Sequence, residues 1–128
     1  MNCYKCGCSL NEKDFCTSCG ADVARYKQVL SMSNAYYNEG LEKAQIRDLT
    51  GATACLQLSL KLNKRNTQAR NLLGLIYFET GETVMALTEW VISKNYQPEK
   101  NIADDYITKV QSNPSLLSKM DGAVHKYN

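Results

Sequence analysis

A chain of 128 residues, 44% of them hydrophobic and 22% charged, has room for about one folded domain and excludes two full cores. Two prolines and seven glycines exclude both a long disordered linker and a turn-rich sandwich. A formal charge of +2 gives little long-range pull on nucleic acid or anionic lipid, so neither is favoured as a partner.

The first 21 residues are rich in cysteine and turns. Cys3, Cys6, Cys8, Cys16 and Cys19 crowd there, and Cys55 stands alone further on. A disulfide-stapled secreted scaffold would spread its cysteines and carry a leader. The start, MNCYKCGCSL, has no charged region running into an apolar one. The expected setting is therefore a reducing one, the cytoplasm. No apolar run approaches the ~18 residues of a membrane span, although the sequence stops inside a helical pattern at Val124–Asn128, which leaves room for a longer chain and an anchor beyond it.

Two Cys-x-x-Cys-Gly knuckles, Cys3–Gly7 and Cys16–Gly20, have nine residues between Cys6 and Cys16. Two residues between cysteines let both thiolates reach one ion while backbone amides of the turn donate to sulfur. Gly7 and Gly20 suit the positive φ needed just after the second ligand of each knuckle. So short a segment cannot bury enough apolar surface to fold alone, and a metal must hold it. Cys3, Cys6, Cys16 and Cys19 are the expected ligands and structural Zn2+ the expected ion. With it the net charge falls near zero. Iron in a rubredoxin-like site uses the same ligand set, and a dithiol redox pair is a third reading. Cys8 is a spare that could compete through Cys6-x-Cys8. The paired knuckles resemble the small zinc-ribbon modules at the N-termini of many bacterial proteins. In their usual form a leucine and an aromatic stand where Leu10 and Phe15 stand here, and these two with Tyr4 are expected to cover the site.

From Ala21 onward the pattern is helical. Val23, Tyr26, Val29, Leu30, Tyr37, Leu41 and Ala44 recur at spacings of three and four, predicting one long helix from about Asp22 to Gln45. Further on, Leu73-Gly74 with Tyr77, then Ala86, Trp90, Ser93 and Pro98, resembles the tetratricopeptide repeat (TPR) consensus. Gly74 and Ala86 would let two helices approach closely, with Tyr77 and Trp90 filling the groove beside them. A shift of 34 residues sets Gly40, Ala52, Leu56 and Ser59 opposite Gly74, Ala86, Trp90 and Ser93, so residues 35–68 read as a divergent copy. Its second helix is predicted at about Thr50–Leu62, with Cys55 as a small core residue. Shifting the other way predicts a helix at about Asn101–Gln111, a break at Asn113-Pro114 and a last helix from Ser115. The small crossing residues there are replaced by Thr108 and Met120. The expected fold is mostly α: TPR-like antiparallel helix hairpins, two repeats plus a degenerate third or cap, over residues 22–128, behind a zinc ribbon at 1–21.

Nothing resembles a catalytic constellation. His125 is the one histidine, Asp104-Asp105 read as charges of a helix first turn, and no phosphate loop or nucleophile signature appears. The TPR resemblance implies a groove built by the first helix of each repeat, receiving a protein or peptide partner. By register it offers Asn34, Tyr37 and Leu41, then Asn71, Leu75 and Phe78, with Gln68, Glu79, Asp105 and Lys109 around them. The lysine and asparagine of carboxylate-clamp TPRs are replaced by Tyr37 and Asn71, and by Leu41 and Leu75. The expected ligand is therefore an internal segment meeting an apolar and amide groove, unless the same residues pack against further repeats. The reading is a non-enzymatic interaction scaffold. A nucleic-acid-binding or transcription-linked zinc ribbon is the alternative, weakened because only Lys5 and Lys13 precede Arg25 while Glu12, Asp14 and Asp22 oppose them.

Overall fold

A computed structural model of the chain describes residues 1–112. The expected break at Asn113-Pro114, the helix from Ser115, Met120 and His125 lie outside the described residues. From Ala24 on, the described residues form five helices: α1 Ala24–Gln45, α2 Leu49–Leu62, α3 Thr67–Glu79, α4 Thr83–Tyr96 and α5 Ala103–Gln111. The only strand-like features among the described residues are two isolated antiparallel bridges in the N-terminal segment, Asn2 with Ser9 and Phe15 with Asp22.

Short links with definite caps fold the helices back on one another. Asp48 accepts from the Gly51 N–H at the start of α2, and Asn66 accepts from the Ala69 N–H at the start of α3. Gly81 takes φ +86 between α3 and α4, a conformation open to glycine without strain. The result is the TPR-like pair of antiparallel hairpins, α1 on α2 and α3 on α4, with α2 packed on α3 and α5 on α4.

Glycine governs both hairpin crossings. An added Cβ at Gly40 would meet the Leu56 side chain at 3.0 Å and the Ala52 carbonyl at 3.3 Å. At Gly74 it would enter the Trp90 indole, 2.7 Å from Cδ1 and 2.8 Å from Cε2. The equivalence of Leu56 and Trp90 read across 34 residues is thus a spatial one: each lies fully buried over its hairpin's glycine. Two apolar clusters follow, Ala52, Leu56, Ala69, Leu73 and Ile76, then Ala86, Trp90, Ala103 and Val110, with Tyr77 packed against both.

One feature of the first hairpin has no counterpart in the apolar pattern. Ser33 and Ser59, both fully buried, exchange reciprocal bonds, each hydroxyl donating to the other's carbonyl at 2.8 and 2.7 Å. Asn66 Nδ2 donates to both hydroxyls. Serines at a crossing bring helices close, and here every hydroxyl is satisfied, so the polar burial is not a penalty.

Candidate metal centre

The N-terminal segment is wound by its own amides. Cys3 N–H donates to the Cys8 carbonyl and Gly7 N–H returns to Cys3. Cys16 N–H donates to Ala21 and Gly20 N–H returns to Cys16. Gly7 and Gly20 sit at φ +79 and +76 with open space where a side chain would go, so backbone conformation rather than crowding selects glycine there.

This winding brings the sulfurs of Cys3, Cys6, Cys16 and Cys19 within 4.8 Å of one another. Cys3 Sγ lies 3.7 Å from Cys19 Sγ, and Cys6 Sγ lies 3.5 Å from Cys16 Sγ. A tetrahedron with metal–sulfur bonds of about 2.3 Å has edges of about 3.8 Å, so the four thiols fit one metal ion. Lys5 N–H points at Cys3 Sγ, 3.4 Å away, the kind of donor that stabilises a ligating thiolate. Cys8 is exposed and outside the group.

The thiols are electrostatically unequal. Cys16 is lowered to about 6, first by the backbone N–H of Cys19 and then by that of Ser18, against the cost of burial. Cys3 is lowered by the Cys6 N–H, burial opposing it, with help from the Lys5 N–H and the Cys19 thiol. Cys6 goes the other way. The Cys8 N–H pulls it down, but the neighbouring Cys16, burial and the thiols of Cys19 and Cys8 push it up to about 12. Two sulfurs thus take charge readily and a third resists because negative charge is already beside it, an arrangement a central cation relieves.

The lid over the site differs from the expected one. Leu10 does pack against the buried Cys3 and Cys16, but Phe15 and Tyr4 are 49% and 61% exposed. Phe15 turns outward under Lys13, and Tyr4 sets its edge against Tyr26 at 5.3 Å. Val23, wholly buried and just before α1, and Tyr26, in its first turn, take their place. Val23 N–H also donates to the Asp14 carbonyl, and Lys27 Nζ reaches the carbonyls of Asn11 and Lys13. The knuckles and the first helix therefore share side chains. The apolar periodicity had pointed to Val23 and Tyr26, though toward a helix rather than toward the cysteines.

Cys55 is buried on α2, its thiol pushed up by burial first, then by Glu39 and Asp48 with Lys43 opposing. This yields a thiol-counting test. With metal bound, a maleimide reagent should label one cysteine per chain quickly, Cys8, and four more after chelation, with Cys55 labelled only on unfolding. Rapid labelling of Cys3 or Cys16 in the metal-loaded protein would contradict the ligand set.

The six groove residues are distributed as follows. Tyr37 is half-buried against the first apolar cluster, and Leu75 and Phe78 against the second, with the Phe78 ring 6.2 Å from Trp90. Asn71 Nδ2 donates to Asn101 Oδ1, and its backbone carbonyl accepts from Trp90 Nε1. Asn34 is exposed, its Oδ1 accepting from Asn66 at 3.3 Å, and Leu41 is half-buried without being part of either cluster. The aromatic rings are thus shared between core and surface.

No family model matches the chain, and no solved structure matches it. Over 83 residues, 65% of this chain, it is 35% identical to a Caenorhabditis elegans protein described as a BBSome complex member, bbs-4. The chain spans 17% of that relative's length. The similarity covers more residues than the N-terminal knuckles hold, so it draws on the helical repeats. Among the described residues, no helix is long and apolar enough to cross a membrane.

Proposed function

We propose that the chain is a non-enzymatic, cytoplasmic interaction scaffold, its knuckles ordered by a structural zinc ion on Cys3, Cys6, Cys16 and Cys19. The observation that carries this reading is the gathering of four cysteine sulfurs within 4.8 Å of one another, two of those residues buried, a set that would fill all four positions of a tetrahedral zinc ion. Bound there, zinc supplies structure and no reactive water. Similarity to a member of a multiprotein complex supports a protein rather than a small molecule as partner.

The surface offered is the side of α1 and α3 carrying Asn34, Tyr37, Leu41, Asn71, Leu75 and Phe78. Because Tyr37 and Phe78 also pack inward, truncating them confounds binding with stability. Asn34 and Leu41 separate the two. Asn34→Arg and Leu41→Arg should weaken capture of the partner from the native host about tenfold while shifting Tm by no more than a few degrees. Undiminished capture by both variants would remove this face from the reading.

A further inference from the structure

A cleft of about 730 Å³ lies where the knuckles meet the repeats, and none of the six groove residues lines it. One wall is Asn2, Cys3, Tyr4 and Gly7. The floor is Tyr26, Val29 and Leu30 of α1, and the opposite wall is the segment 61–65 that ends α2 and leads into α3. The wall is chemically divided. On the knuckle side and the floor are Tyr4, Tyr26, Val29 and Leu30. On the other are Lys61, Lys64 and Arg65, with no acidic residue among those that line the cleft.

These three cations are not spent elsewhere. None forms an ion pair among the described residues, whereas the neighbouring Arg70 is committed to Glu89 at 2.9 Å. Their backbone is held in place. Arg65 N–H donates to Asn63 Oδ1, Asn66 N–H to the Asn63 carbonyl, and Arg70 Nε to the Lys64 carbonyl. The Arg65 guanidinium lies 5.7 Å from the Tyr96 ring, which steadies it without neutralising it. Exposed cations on a held backbone beside an apolar floor form a surface whose main-chain ordering cost is met before a ligand arrives.

We infer that this cleft is a second docking surface, for an acidic peptide segment that carries an apolar anchor. The anchor side chain lies over Tyr26, Val29 and Leu30 beside Tyr4. The carboxylates that follow it face Lys61, Lys64 and Arg65. A divalent ion held by the four thiolates would leave a net charge of −2 behind Cys3, which would repel carboxylates from the knuckle side and leave that side to the anchor. The inference rests on the scaffold reading but names other residues and a specific partner chemistry.

The test titrates the zinc-loaded full chain, labelled with nitrogen-15, with a synthetic peptide of one phenylalanine followed by four glutamates, and separately with a uridine oligonucleotide. The expected result is peptide-induced shift changes at Leu30, Lys61, Asn63, Lys64 and Arg65. Binding should weaken as salt rises and drop about tenfold or more in the double variant Lys61→Glu, Lys64→Glu, whose circular dichroism stays that of the wild type. A lysine counterpart of the peptide should not bind. Shifts confined to residues such as Asn34, Leu41 and Asn71 would overturn the cleft while sparing the scaffold reading, as would no binding at millimolar peptide. Tight binding of the oligonucleotide at this cleft in place of the peptide would overturn both.

Discussion

Chelating the metal from the purified chain should unfold residues 1–22 and leave the two helix hairpins standing. The segment closes its turns through four thiols and a handful of backbone bonds, and Leu10, Val23 and Tyr26 are the main apolar cover. Metal binding in small zinc modules contributes about 10–16 kcal/mol, far more than that cover, so its removal leaves the knuckles with no net reason to fold. Amide dispersion for residues 1–22 should collapse, while helical circular dichroism falls only by what the first turn of α1 contributes. Cys16→Ser should reproduce the effect, and Cys8→Ser should not. Acidification acts in the same direction: ligating thiolates are lost to protons, so metal is retained at high pH and released as pH falls. Knuckles that stay ordered without metal would refute the centre. Loss of the whole helical signal would instead mean that residues 1–22 and the repeats form one cooperative unit.

The second large effect is expected at a residue with no side chain. Gly74→Leu must place atoms where Trp90 already lies, with Cδ1 and Cε2 under 3 Å from the first added carbon. The indole cannot swing away cheaply. It is 1% exposed, packs near Phe78 and Tyr106, and donates Nε1–H to the Asn71 carbonyl at 3.2 Å. Overpacking of this kind costs about 1–3 kcal/mol, and losing a buried hydrogen bond adds about 1 kcal/mol. Thermal or urea unfolding should show a loss of about 2–4 kcal/mol. A double-mutant cycle gives the sharper check. Gly74→Ala combined with Trp90→Leu should be less unstable than the sum of the two single variants, because the smaller partner removes the clash. Strict additivity would mean that the two residues do not meet.

What could be read from the sequence divides along physical lines. The cluster of four cysteines was legible because turn geometry acts within a few residues, so Cys-x-x-Cys-Gly carries its own structure. The hairpins were legible because a crossing glycine and its bulky partner recur 34 residues apart, and Gly40 over Leu56 repeats Gly74 under Trp90. The helix bounds read from that pattern lie within about two residues of those observed. The lid over the cysteines was not legible. Phe15 sits where the usual ribbon has an aromatic, yet the cover comes from Val23 and Tyr26, whose spacing also satisfies a helix face. One periodicity cannot announce two neighbours. The bonded group of Ser33, Ser59 and Asn66 was hidden for a different reason. Small polar residues on a helix ordinarily face water, and only the tertiary approach of α1 and α2 turns them into partners.

Val23 has a consequence for how this protein can be cut and joined. It is the residue before α1, donates its N–H to the Asp14 carbonyl, and is sealed against Cys3 and Cys16. A boundary drawn at residue 21 by composition therefore passes through a shared wall. The cysteine segment moved alone to another protein would arrive without its seal, and the helices left behind would begin with a bare apolar end. The knuckles are not portable as twenty-one residues; a graft that keeps its shape has to carry the helix onward past Tyr26 and Lys27.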